Sequence, residues 1–381
     1  MSTTTISEAN VSDAHQHVQD LLQEADVRIN GDRPWDPQVH DERLYRRVLS
    51  GGSLALGEAY MDGWWECEAL DELFYRVLRV RIDQEVGWSW RAVWNFVKAF
   101  VLNLQSPSRA YEVGEEHYDR GNDLFRRMLD DRMIYSCGYW RRADTLDEAQ
   151  EAKLDLICRK LKLEPGMRVL DIGCGWGGFA EYAAAEYGAE VVGVTISEEQ
   201  VPLARERCAD LPVEIRLQDY REVDEVFDRV VSIGMFEHVG HKNHRTYMET
   251  VRRCLKDEGL SMLHTIGSLT SNAVTDPWIE KYIFPNGLIP SARQITEASE
   301  DLFVIEDWHN FGPDYDPTLM AWARNFEESW DELSDRYSDR FYRMWRYYLH
   351  QCAGMFRARR DQLWQIVLSP KGVDGRYVSV R

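Results

Sequence analysis

The chain has 381 residues, 65 acidic against 45 basic side chains, a formal charge of −20 and 44% hydrophobic residues. That apolar content excludes a disordered or collagen-like chain, and the acid excess excludes a surface built to track phosphates, so no nucleic-acid partner is expected. No run approaches the roughly 20 apolar residues of a membrane-spanning helix, the opening MSTTTISEANVSDAHQ lacks a secretory design, and the seven cysteines contain no CxxC pair. A cytoplasmic, multidomain protein with reduced thiols is expected.

Residues 1–20 are polar, and 21–85 mix short helical patterns with turns such as Asn30-Gly31-Asp32 and Ser50-Gly51-Gly52-Ser53. Residues 88–104 carry apolar side chains at 90, 93, 94, 97, 100, 101 and 104, the spacing of a helix with a broad apolar face. Around its start lie Arg76, Arg79, Arg81, Arg91 and Lys98, against only Asp83 and Glu85, together with Trp88, Trp90 and Trp94. A local positive charge beside amphipathic tryptophans suits a bilayer surface; a helix packed between domains explains the same pattern. Gln105-Ser106-Pro107-Ser108 then reads as a linker, dividing a mostly helical amino-terminal domain (1–105) from a second domain (106–381).

Beyond the linker, strand-like runs alternate with helices. The strands are Arg168–Ile172, Glu190–Thr195, Val213–Leu217, Asp228–Ile233 and Leu260–Thr265, and helical patterns fall at 178–187, 198–209 and 243–256. Such alternation predicts an α/β fold with a doubly wound parallel sheet covered on both faces. An irregular stretch to about residue 290, a strand-like Leu302–Asp307 and a helical, aromatic-rich region at 317–366 complete the chain.

The strongest motif is VLDIGCGWGG at 169–178. A strand runs into a glycine turn and then a helix, so backbone can approach a ligand closely beneath a helix N-terminus. Gly173, Gly175 and Gly178 also satisfy dinucleotide spacing, but that reading needs an acidic residue at the end of the second strand. Thr195-Ile196-Ser197 stands there instead, and the DIGCG pattern is similar to S-adenosylmethionine methyltransferases. Three further positions attract attention: Cys137 within the polar and aromatic segment His117–Trp140, Glu237 just past the fourth strand, and His264 at the end of the fifth. In an open α/β sheet ligands bind outside the carboxyl ends of the strands, so Glu237 and His264 are expected to converge beside the glycine loop. Two of the three have a plainer explanation, Cys137 as a small buried hydrophobe and His264 as a satisfied core histidine. His238, His241 and His244 recur every third residue, but no carboxylate or cysteine completes a zinc spacing, and no metal is expected.

Taken together, INGDRPWDPQV, GSLALGEAYMDGWWEC, HYDRGNDLF, MIYSCGYW, VLDIGCGWGG, GVTISEEQ, FEHVG and HTIG resemble bacterial cyclopropane-fatty-acyl-phospholipid synthases, from about residue 25 to the C-terminus. The resemblance implies a seven-stranded Rossmann-like methyltransferase sheet. It also implies a homodimer associated peripherally with the inner face of the membrane, and methylene transfer from S-adenosyl-L-methionine to a cis double bond of a phospholipid acyl chain. An alkene is a weak nucleophile and the methylated product is a carbocation, so alignment, exclusion of water and a base that removes a proton from the new methyl are required. The resemblance assigns that base to bound bicarbonate, held by Cys137, Glu237, His264, Ile266 and Tyr315, with Cys137 and Ile266 contributing backbone groups. Tyr315, in GPDYDP, has a plainer explanation as a loop anchor.

For the co-substrate the resemblance implies Tyr135 and Ser136 at the methionine end, Gly173 and Gly175 under the amino-acid and ribose portions, and Asp171 among the binding residues. Thr195, Ile196 and Gln200 flank ribose and adenine, and Gln218 and Asp219 reach the adenine. Trp278, Tyr282, Ile283, Phe284, Phe341, Trp345 and Tyr348 are candidates for an acyl tunnel, with ordinary core as the alternative. A sibling enzyme that makes a methyl or methylene branch, an amine methyltransferase and a catalytically silent lipid-binding protein are the rival readings.

Overall fold

A computed structural model describes residues 5–80, 121–271 and 275–381. The apolar segment 88–104 with its tryptophans, the linker 105–108 and residues 117–120 of the polar and aromatic segment lie outside the described residues.

Seven strands form one sheet: β1 (Arg168–Ile172), β2 (Glu190–Thr195), β3 (Val213–Leu217), β4 (Phe227–Ile233), β5 (Leu255–Ser268), β6 (Val304–Asn310) and β7 (Asp361–Ser369). Their order is β3-β2-β1-β4-β5-β7-β6. The first five are parallel, whereas β7 runs antiparallel to both β5 and β6. The inner strands are short apolar runs buried on both faces, because helices cover both sides of a parallel sheet. One face packs Leu154, Ile157, Phe179 and Tyr182 against the sheet; the other packs Phe236, Tyr247, Met248 and Val251. The strand order reverses between β1 and β4, which opens a crevice at the carboxyl ends of those strands.

The expected α/β, doubly wound class holds, with three corrections in detail. The helical region expected to residue 366 ends at Arg357, and DQLWQIVLS that follows is β7, wedged between β5 and β6. The aromatic richness of the preceding helix runs on into this strand and hides the change of period. Strand β5 extends well beyond 260–265 at both ends, so His264 sits inside it, opposite Gln365 of β7, rather than at its end. The irregular stretch before residue 290 contains a helix, Pro277–Tyr282, which starts where the Asp276 carboxylate accepts the N–H groups of Trp278 and Ile279.

Packing divides the chain into two compact units. One comprises the described residues of Met1–Val101 with Val274–Phe284 and Leu319–Arg360; the other comprises those of Leu102–Ala273 with Pro285–Thr318 and Asp361–Arg381. The change of sequence pattern near residue 105 is a single cut, whereas these units are discontinuous. All the tunnel candidates fall in the first unit. Within it Trp278 is fully buried with its ring 4.6 Å from Tyr347, and Tyr337, Phe341, Trp345, Tyr348 and Phe284 form a continuous row of ring contacts. Arg76 is engaged within the same unit, by Glu72 at 2.8 Å, by Asp26 at 3.1 Å and over the ring of Trp35. Among the described residues no helix is long and apolar enough to cross a membrane.

Candidate active site

The second unit carries a cleft at the carboxyl ends of β1, β2 and β4. Its lining includes Tyr135, Ser136, Asp171, Gly173, Gly175, Thr195, Ile196, Gln200, Gln218 and Asp219, all ten of the residues expected around the co-substrate. The glycine loop forms its floor. Gly173 has φ +81°, and a Cβ there would stand 2.7 Å from the Met235 side chain, so neither the backbone angle nor the space admits a larger residue. Hydrogen bonds from the N–H groups of Gly173 and Cys174 to the Val194 carbonyl tie the loop to β2.

On the far side, the Thr195 hydroxyl donates to Gln200 Oε1 at 3.0 Å, and the N–H of Gln218 reaches the Thr195 carbonyl at 3.0 Å. The Asp219 carboxylate is bound by the Arg221 backbone N–H and guanidinium. Asp171 is buried, burial pushes its carboxyl up to about 7, and its Oδ2 finds no partner among the described residues.

The five residues expected to hold the base lie outside that lining, yet two chain segments join the regions. Ser136 of the cleft adjoins Cys137, and Gly234 of the cleft donates its N–H to the His264 carbonyl at 2.9 Å. Glu237, in the turn after β4, accepts the Ile266 N–H on Oε1 at 2.7 Å. Because a strand residue directs its N–H and C=O to the same edge, the Ile266 carbonyl faces this side too. Burial raises the Glu237 carboxyl to about 7, and its Oε2 has no partner among the described residues.

His264, two residues before Ile266 and therefore on the same face of β5, has its Nδ1 3.3 Å from Gln365 Nε2. With that amide as donor, the ring proton sits on Nε2, which has no partner among the described residues. Burial, reinforced by Lys153 and Lys160, holds the imidazole well below its ordinary value, so the ring is neutral. Cys137 is buried, with its thiol pushed up by desolvation and donating to the Gly138 carbonyl. Its segment is pinned by Thr318, whose hydroxyl accepts from Gly138 N–H at 3.1 Å and Trp140 Nε1 at 2.8 Å, and by Asp314, which accepts the Trp140 N–H at 2.7 Å. Tyr315 lies between those two anchors, at the start of the helix Tyr315–Glu328. Of the histidine trio, His238 lines the cleft while His244 stacks on Phe236 at 4.4 Å; no metal-ligand cluster occurs among the described residues.

Two contributors escape a reading of the sequence. Gln365 belongs to the unrecognised strand β7. Lys153 sits in the helix Leu146–Lys160, where a lysine among Glu and Asp residues reads as surface; the buried Leu154 and Ile157 beside and one turn beyond it were the signal that it faces inward.

A family model described as mycolic acid cyclopropane synthetase matches residues 105–366. The chain belongs to that family. It is 56% identical over 376 residues to the cyclopropane-fatty-acyl-phospholipid synthase of Escherichia coli (strain K12), covering 98% of either chain. Among solved structures, the cyclopropane synthase MmaA2 from Mycobacterium tuberculosis superposes with a TM-score of 0.64 at 35% identity, over 68% of this chain and 97% of that one. The mycolic acid cyclopropane synthase CmaA1, in a complex with SAH and CTAB, gives the same TM-score at 34% identity and the same coverage. Membership makes the protein an enzyme, an S-adenosylmethionine-dependent methyltransferase of the cyclopropane synthase family.

Proposed function

We propose that the enzyme adds a methylene group from S-adenosylmethionine across the cis double bond of unsaturated acyl chains in membrane phospholipids. The observation that carries this reading is the pairing of a glycine-floored cleft with an adjoining, water-poor cluster in which buried Glu237 Oε2 and His264 Nε2 have no partner among the described residues. When bound, the co-substrate supplies an electrophilic methyl group. Ser136 and Tyr135 orient its amino-acid end, Asp171 takes the cationic amine that favours its charged form, Gly173 and Gly175 admit the chain close to backbone, and Thr195, Ile196, Gln200, Gln218 and Asp219 hold the nucleoside.

The buried cluster keeps water from the carbocation that methylation of an alkene creates. Its chemistry suits a small oxyanion: a neutral histidine offers the Nε2 proton, a carboxyl titrating near neutrality offers or accepts another, and Ile266 presents its carbonyl. Bicarbonate, when bound, supplies a base soft enough to remove a proton from the new methyl so that the ring closes. Cys137 and Ile266 hold it through backbone groups, and Glu237, His264 and Tyr315 orient it and relay the proton. Action on acyl chains of membrane phospholipids requires access to the bilayer surface, which supports a peripheral association with its cytoplasmic face; the homodimer rests on the resemblance to the family alone.

Mass spectrometry of cis-unsaturated phospholipid vesicles incubated with enzyme and S-adenosylmethionine, followed by ozonolysis, tests the reading. One added CH2 per double bond with loss of ozonolysis is expected. An added CH2 that still cleaves indicates a branching enzyme, and methylated headgroup amine indicates an N-methyltransferase; either contradicts the proposal.

A further inference from the structure

Lys153 has no part in the reading above, yet it is fully buried and among the residues that line the cleft. Its Nζ lies 2.7 Å from Ser136 Oγ. An ammonium group has three N–H donors and no lone pair, so the serine oxygen must accept and its own proton must point elsewhere. One turn earlier on the same helix, Gln150 donates Nε2 to the Ser136 carbonyl at 2.8 Å, and the Ala149 carbonyl accepts the Tyr139 N–H at 2.8 Å. One helix face thus grips Ser136 by both oxygens.

The titratable groups around Lys153 are Asp130, Cys137 and His264. Burial keeps the thiol and the imidazole uncharged, and Asp130 already accepts the Ile134 N–H at 2.8 Å and the Arg132 N–H at 3.1 Å. Desolvation therefore outweighs Asp130 and brings the Lys153 ammonium down to about 7.

We propose that Lys153 is a positioning residue for the amino-acid end of the co-substrate, acting through Ser136: its ammonium group holds Ser136 Oγ as an acceptor and so directs the hydroxyl proton into the cleft, toward the co-substrate carboxylate. The proposal rests on the reading that this cleft binds S-adenosylmethionine. A carboxylate brought near favours the charged amine, so binding drives proton uptake by Lys153. Affinity is then steady below the free-enzyme value and falls as pH rises through it, where the proton must be drawn from solution.

The test is calorimetric titration of S-adenosylhomocysteine into the full chain at about pH 7.5, in two buffers of different ionisation enthalpy. Asp171, whose carboxyl is also at about 7, gives up part of a proton when it meets the cationic amine, so the quantity read is a difference: wild type is expected to take up more protons than Lys153→Met by part of a proton. Lys153→Met is expected to bind about ten- to a hundredfold more weakly, the worth of one charge-assisted hydrogen bond. Ser136→Ala is expected to lose a similar factor, with the double variant no weaker than the weaker single one. Wild-type affinity or unchanged proton uptake in Lys153→Met overturns the proposal, as does an additive double variant. Should Lys153→Met not fold, wild type against Ser136→Ala decides, because the Asp171 contribution is common to both: the same pH dependence of the dissociation constant from about pH 6.5 to about 8.5 in the two overturns the proposal, and a steeper rise with pH in wild type sustains it. Failure of the wild type to bind S-adenosylhomocysteine at all is failure of the co-substrate reading, seen before any variant is made.

Discussion

The cleft and the buried cluster beside it are built by opposite means. In the cleft several polar groups are satisfied within it, Thr195 by Gln200, Asp219 by Arg221 and the glycine loop by Val194 of the next strand, while the Asp171 Oδ2 is left open among the described residues. The cluster draws residues 137, 237, 264, 266 and 365 from four separate parts of the chain, and leaves Glu237 Oε2 and His264 Nε2 without partners among the described residues. The cleft's open atom is a single acidic acceptor, which suits a cation to be bound; the cluster leaves a carboxyl and an imidazole N–H open together, the paired acid and base that proton chemistry uses. Damage to one region should therefore spare the function of the other.

The largest separation is expected from His264→Ala, which removes the Nε2 donor: lipid turnover falls about a hundredfold or more, while S-adenosylhomocysteine affinity stays within about twofold by the same argument. Equal loss of both would merge the two regions into one.

Stability against pH sharpens the contrast next. Glu237 has a folded pKa of about 7, above its ordinary 4.5, so the folded state holds that proton more tightly than the unfolded one. Its contribution is therefore most favourable below 4.5, declines as pH rises to about 7, and stays unfavourable above that. Glu237→Gln keeps the acceptor for Ile266 N–H without the buried charge. In thermal or urea unfolding of the ligand-free protein it should gain about 3 kcal/mol above pH 7 and nothing below 4.5. A gain independent of pH would show that Glu237 is not desolvated as described.

In the cleft, Gly173→Ala forces a positive φ on a residue with a Cβ that meets Met235. It should cost about 1–3 kcal/mol of stability and weaken co-substrate binding, read by denaturation and calorimetry. The smallest effect is expected from Gln365→Leu, which releases His264 Nδ1 and should lower turnover by about tenfold or less, with binding unchanged, because it frees the tautomer rather than removing the donor.

Much of the cleft was legible in the sequence, because a strand, a glycine turn and a helix follow one another within VLDIGCGWGG, and the end of the next strand supplies Thr195. Glu237 was legible for the same reason, as the residue just past β4. The surroundings of His264 were not. They depend on β7, whose register against β5 pairs residues a hundred positions apart, and no local period reports that. Lys153 was hidden by composition, a cation among Glu and Asp residues whose helical neighbours turn it inward. The first compact unit was hidden too, since an amphipathic pattern such as that of 339–357 shows that a helix has a buried face without naming what covers it.

The most direct test of the division is one variant measured twice. Glu237→Gln should bind S-adenosylhomocysteine like wild type in calorimetry and form cyclopropane lipid at least about a hundredfold more slowly. Wild-type turnover, or a loss of binding that matches the loss of turnover, would contradict the assignment of binding to the cleft and proton chemistry to the cluster beside it.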